Sequence, residues 1–114
     1  MPFINSKVTV KLTKEKEEII KSRLGKAIEL IKGKSESWLM VGFEDNYSLY
    51  FKGIKSEKIA FVEVRIFGKA DSQSYENLTK AICTIYEEEL EIPSDKIYVT
   101  YQEVNTWGYD GFNF

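Results

Sequence analysis

Apolar and polar residues alternate at the start of the chain, and the period then changes. Pro2-Phe3-Ile4 heads a strand-like run. Val8, Val10 and Leu12 share one face and Lys7, Thr9 and Lys11 the other, which predicts a half-buried strand. Thr13 is suited to cap a helix. After it Ile20, Leu24, Ala27 and Ile31, widened by Ile28, recur at helical spacing and predict an amphipathic helix that stops at Gly33. Trp38 to Phe43 then reads as a short, well-buried strand. The order repeats in the second half. Residues 59–67 are β-branched and aromatic, with Ala60, Val62, Val64 and Ile66 alternating, and Gly68 breaks the run. Asp71 or Ser72 caps a second helix, whose buried stripe is Tyr75, Leu78, Ile82, Ile85 and Tyr86. Pro93-Ser94-Asp95 turns the chain into a last long strand, residues 97–101. The segment from Glu44 to Lys58 reads as a loop or an extra short strand.

Strand–helix–strand used twice predicts an α/β fold. Two βαβ pseudo-repeats form a four-stranded mixed sheet with two helices on one face. The uncovered face is expected to carry Phe61, Phe67 and Tyr101. A sheet left partly apolar on one side calls for a partner, most simply copies of the same chain in a closed ring.

Composition narrows the chemistry. Residues 1–114 are read as one domain, 43% hydrophobic, with 16 basic and 18 acidic residues and a net charge of −2. That balance gives no electrostatic reason to expect nucleic acid. No apolar stretch is long enough to span a bilayer. No basic region followed by an apolar run opens the chain, so no Sec signal peptide is expected and the default location is cytoplasmic, with non-classical secretion left open. There is no histidine, which removes His-based triads and the common His-containing zinc sites. The one cysteine, Cys83, stands among apolar helix residues and reads as an inert thiol. Glu87-Glu88-Glu89 reads as a solvated helix face. Acid–base work is left to carboxylates, lysine, tyrosine or a terminal amine. Proline follows Met1, and a small second residue favours removal of the methionine. Pro2 would then carry a free secondary amine. An α-amine titrates at about 8 in water, and burial lowers it, so a proline amine in a cleft is a candidate general base.

Several stretches, taken together, resemble the macrophage migration inhibitory factor family of the tautomerase superfamily. They are Pro2-Phe3-Ile4; Gly33-Lys34; Ser74-Tyr75 followed by Leu78; residues 92–99, Ile-Pro-Ser-Asp-Lys-Ile-Tyr-Val; and the end, Trp107-Gly108-Tyr109-Asp110-Gly111-Phe112-Asn113-Phe114. The likeness covers essentially the whole chain. It implies a homotrimer with clefts at subunit boundaries. It also implies an isomerase of the phenylpyruvate tautomerase type, interconverting keto and enol forms of aromatic α-keto acids without cofactor or metal. Pro2 would be the catalytic base. Lys34 would take the substrate carboxylate and hold the proline neutral. The backbone N–H of Val64 would touch the ligand. Tyr98 would reach the cleft from a neighbouring subunit, and Phe3, Trp38, Tyr109 and Phe114 would form aromatic walls.

The chain departs from that pattern in places. Thr100 stands where the vertebrate cytokine has a ligand-binding asparagine, and Tyr109 where tryptophan is usual. Cys83 has no partner for a Cys-x-x-Cys motif, so thiol-oxidoreductase activity is not expected. Two other readings stay open. One is a non-catalytic, cytokine-like protein that binds a receptor. The other is hydration or dehalogenation of unsaturated acids, whose enzymes in the superfamily tend to add an arginine or a carboxylate near the proline. Arg65 is the residue in question, although strand alternation sends it and Val64 to opposite faces.

Overall fold

The computed structural model describes residues Met1–Phe114. Four strands form the main sheet: β1 (Pro2–Val8), β2 (Met40–Glu44), β5 (Ala60–Phe67) and β6 (Ile97–Val104). Their order is β2-β1-β5-β6. The two outer pairings are parallel and the central β1–β5 pairing is antiparallel, with Pro2 opposite Ile66 and Val8 opposite Ala60. This is the mixed sheet expected from two βαβ units. Helices α1 (Lys14–Ala27) and α2 (Ser72–Leu90) supply the other layer, and a 3₁₀ turn, Ile28–Leu30, extends the first.

The helix ends follow from capping chemistry. Thr13 Oγ1 accepts the Lys16 N–H at 3.1 Å, and an Asp71 carboxylate oxygen accepts the Ser74 N–H at 2.7 Å. The core lies between sheet and helices. Ile4, Val8, Val62, Val64 and Ile66 from the sheet meet Ile20, Leu24, Leu78, Ile82 and Tyr86 from the helices. One polar pair is embedded in it: the Tyr86 hydroxyl donates to Ser6 Oγ, and both residues are fully buried. Across the outer helix surfaces, Arg23 bonds Glu88 and Glu89, and Lys16 also reaches Glu89. The acidic run is therefore partly a tie between the helices and not only a solvated face.

Four expectations change. The first strand stops at Val8, and the alternation of Val8, Val10 and Leu12 continues off the ladder. Side chains hold the chain there: Thr9 Oγ1 accepts the Ile59 N–H at 2.9 Å, and Asp45 accepts the Leu12 N–H at 2.8 Å. Trp38 belongs to a 3₁₀ turn, Glu36–Trp38, and not to a buried strand. The strand itself, β2, is only half-buried because it pairs on one edge. Tyr101 faces the helices: its ring packs on Tyr75, 4.5 Å between centroids, and its hydroxyl donates to the Tyr75 carbonyl at 3.0 Å. Phe61 and Phe67 do lie on the uncovered face, but between them that face carries the Lys7–Glu63 ion pair. It is more polar than the sequence suggested.

Two hairpins complete the chain. Within residues 44–58, β3 (Tyr50–Phe51) and β4 (Ile54–Lys55) pair around Lys52-Gly53, both at positive φ. At the carboxyl end, β7 (Gly108–Tyr109) and β8 (Phe112–Asn113) pair around Asp110-Gly111, again both at positive φ. That backbone suits a two-residue hairpin turn, and Asp-Gly is its usual signal.

Candidate active site

Pro2 is buried at the head of β1, at the edge of a cleft of about 680 Å³. That is ample for a small ligand. Four chain segments build the cleft. The amino end gives Met1, Pro2 and Phe3. The 3₁₀ turn and the start of β2 give Trp38, Leu39 and Met40. Strand β5 gives Arg65, and the end of β6 with the following tail gives Val104, Trp107 and Tyr109. The walls are mostly apolar.

The carboxyl-terminal hairpin brings the tail into this wall. The Phe114 N–H donates to the Trp107 carbonyl at 2.9 Å and closes it. Tyr109 then meets Trp38 edge-on at 5.3 Å and stacks on Phe114 at 6.4 Å, while Phe114 packs on Phe67 at 5.7 Å. A continuous aromatic line runs from the 3₁₀ turn to the end of β5.

Phe67 anchors the polar side of the site. Its N–H donates to the Met1 carbonyl at 3.0 Å, and its carbonyl accepts from Lys34 Nζ at 2.9 Å. Lys34 is thereby drawn up beside the amino terminus. The Met1 amine is pushed down from 8.0 to about 6, first by loss of surrounding water and then by the charge and hydrogen bonding of Lys34. Both effects disfavour the cation, so an amine here is mostly free base at neutral pH.

The site residues read from sequence divide into groups. Pro2, Phe3, Trp38 and Tyr109 line the cleft, and Phe114 backs Tyr109. Lys34 reaches the Phe67 carbonyl and the Met1 amine, and Met1 itself lines the cleft. Tyr98 and Thr100 are exposed on the uncovered face of β6, paired with Phe61 and Glu63 toward the far end of the sheet from Pro2. One chain does not bring them to the cleft. Val64 must be moved: it is 1% exposed on the helix side of a strand flanked by β1 and β6, away from the cleft. The β5 backbone that meets the amino terminus is that of Phe67, at the strand's end. Sequence reasoning set Arg65 aside, yet it is Arg65 that lines the cleft. The signal was available: alternation that sends Val64 into the core sends its neighbour outward.

The profile described as macrophage migration inhibitory factor (MIF) matches residues 1–113. The chain belongs to the macrophage migration inhibitory factor family. Among solved structures, MIF2 of Leishmania major is 30% identical, with a TM-score of 0.91 and coverage of 100% of this chain and 97% of that one. The MIF homologue of Prochlorococcus marinus is 26% identical, with a TM-score of 0.85 and coverage of 98% of each chain. More distantly, a fused 4-OT asymmetric trimer shares 9% identity at a TM-score of 0.84, covering 96% of this chain and 94% of that one. At that distance only the fold is held in common. A comparison with curated proteins gives no match.

Proposed function

We propose that the protein is a keto–enol tautomerase for aromatic α-keto acids such as phenylpyruvate, with the Pro2 amine as general base once Met1 is removed. One observation carries the reading: a buried proline at the head of a strand edges an aromatic cleft, beside an amine already lowered to about 6. The pyrrolidine ring fixes one backbone torsion, so the base is better oriented than an ordinary chain end.

The reaction needs a proton moved between carbon and oxygen. The Pro2 nitrogen takes the proton from the carbon next to the carbonyl. The C–H electron pair forms the C=C bond of the enol, the carbonyl π pair moves to oxygen, and that oxygen takes the proton back from the protonated Pro2 amine. Removal of Met1 also frees the Phe67 N–H from its present acceptor. A backbone donor at that point can hold the developing oxyanion. Trp38, Tyr109 and Phe114 exclude water and offer ring faces to an aromatic substrate. The base, the donor and the walls come from the polypeptide alone. Assembly as a homotrimer would let Tyr98 and Thr100 of one copy approach the cleft of another. It would also cover exposed apolar side chains such as Met40 and Phe112.

Intact mass establishes whether Met1 is gone, and ultraviolet detection of phenylpyruvate enol conversion measures turnover. Pro2→Gly is expected to lower kcat/KM at least about a hundredfold, the low end of what a positioned base contributes, with the assembly unchanged. Full activity in that variant would remove Pro2 as the base. Absence of turnover in the trimmed wild type would leave the cytokine-like binding role.

A further inference from the structure

Strand β5 ends at Phe67, and a short loop carries the chain from there to α2. Gly68 turns at φ +87°, its N–H donates to the Val104 carbonyl at 3.0 Å, and Asp71 caps the helix. Between these points the loop backbone is held by Glu103. One of its carboxylate oxygens accepts the Ala70 N–H at 3.2 Å and the Tyr75 hydroxyl at 2.7 Å. Glu103 stands next to Val104 and opposite Ile66 on β5. Tyr75 is fixed in turn. Its ring packs on Tyr101 at 4.5 Å, its carbonyl accepts the Tyr101 hydroxyl at 3.0 Å, and that hydroxyl meets Thr79 Oγ1 at 2.6 Å. The first turns of α2 are thus lashed to β6, and Glu103 extends the lashing to the loop.

The groups suit a tether. The Tyr75 hydroxyl and the Ala70 N–H hold the Glu103 carboxyl below its ordinary value, and the Lys69 ammonium acts in the same direction. Burial and then Glu103 push Tyr75 up to about 12, so its hydroxyl remains a donor. Bonds from neutral donors to a carboxylate are roughly twice as strong as neutral pairs. What the tether holds is the peptide unit between Phe67 and Gly68. Its carbonyl accepts Lys34 Nζ at 2.9 Å, and its N–H is the one bound to Val104. A peptide unit is planar and rigid, so a loop that fixes the N–H fixes the carbonyl too. Through that carbonyl it fixes the Lys34 ammonium beside the terminal amine.

We propose that Glu103 is a positioning residue for proton transfer: it pins the loop after β5 so that the Phe67 carbonyl keeps the Lys34 ammonium against the terminal amine. This rests on the reading of Pro2 as the base. Lys34 is the charged group that acts on the amine, Arg65 shares the cleft wall, and Tyr75 and Lys69 face Glu103. The charge of Glu103 by itself would work in the opposite sense, because an anion favours the protonated amine. The sign of the effect therefore separates a tether from a direct field.

The test titrates the amine and needs no turnover. The trimmed protein is labelled with [15N]proline and followed by NMR between pH 4 and 9. Of its two prolines, Pro93 is an amide nitrogen, so the Pro2 amine gives the titrating signal. Glu103→Ala is expected to raise the midpoint by about 0.3 to 1 pH unit. The upper bound follows because the whole displacement is from 8.0 to about 6 and Lys34 is its smaller part. Glu103→Gln offers an amide oxygen to both donors and should stay within about 0.2 unit of wild type. Tyr75→Phe keeps the Ala70 bond and should give a smaller rise. In a Lys34→Gln background, Glu103→Ala should add nothing, because the tether acts through Lys34. An unchanged or lowered midpoint in Glu103→Ala overturns the proposal; if that variant does not fold, the same result in Tyr75→Phe does. An equal rise in Glu103→Gln, or a rise that persists without Lys34, overturns it as well. If Pro2→Gly keeps full activity while Glu103→Ala raises the midpoint, the base assignment fails and the tether stands.

Discussion

Lys34→Gln should move the pH dependence of catalysis without changing its plateau. The Met1 amine lies at about 6 where an unperturbed one lies at 8.0, and burial is the larger cause, Lys34 the second. In the trimmed chain the Pro2 amine lies one residue along the same strand, close to the same ammonium. A base with a pKa near 6 is about nine-tenths neutral at pH 7, and one at 8 about one-tenth. Complete loss of both effects would therefore cost about tenfold in kcat/KM at pH 7. Glutamine removes only the charge and leaves the burial, so the loss stays below that limit. The sign is fixed: removing a neighbouring cation stabilises the protonated amine, raises its pKa and moves the acid limb to higher pH. By pH 9 both forms are free base and the rates converge. The assay is kcat/KM for phenylpyruvate between pH 5 and 9. An equal loss at pH 7 and pH 9 would refute the reasoning, because Lys34 would then be acting on the substrate and not on the proton.

Tyr86→Phe leaves the Ser6 hydroxyl without its partner in a fully buried setting. It should cost about 1–3 kcal/mol in urea unfolding, with Ser6→Ala recovering part of that in the double variant. Gly25→Ala places a methyl against the Glu36 carboxylate, but Glu36 is exposed and free to turn away. The helix gains about 0.5–1 kcal/mol, so the melting temperature should rise, and a fall would show that Glu36 is fixed. Gly111→Ala puts a side chain at φ +82° in the tail hairpin. A strain of about 1–2 kcal/mol should loosen Tyr109 and Phe114 and raise KM for phenylpyruvate, while urea unfolding of the main sheet stays near wild type.

Much of the architecture was legible because local chemistry and burial pattern agreed. Thr13 and Asp71 are caps whichever way the chain packs, and period-two and helical stripes mark which side of each element meets the core. The elements missed were those set by particular contacts. Thr9 and Asp45 draw the chain off the ladder after Val8, and Tyr101 turns to the helix side to meet Tyr75 and Thr79. The tail hairpin was announced by Asp110-Gly111, a signal that the repeat of larger elements obscured.

The order of strands and helices along the chain and the buried stripes were determined by sequence alone, since each depends on neighbours a few residues apart. Tertiary structure decided which cation stands where. Lys34 and Arg65 are far apart along the chain, and only strand register brings Arg65 opposite Phe3 and Lys34 to the Phe67 carbonyl. A side chain's electrostatic role depends on distance and water in three dimensions, and residue spacing carries neither.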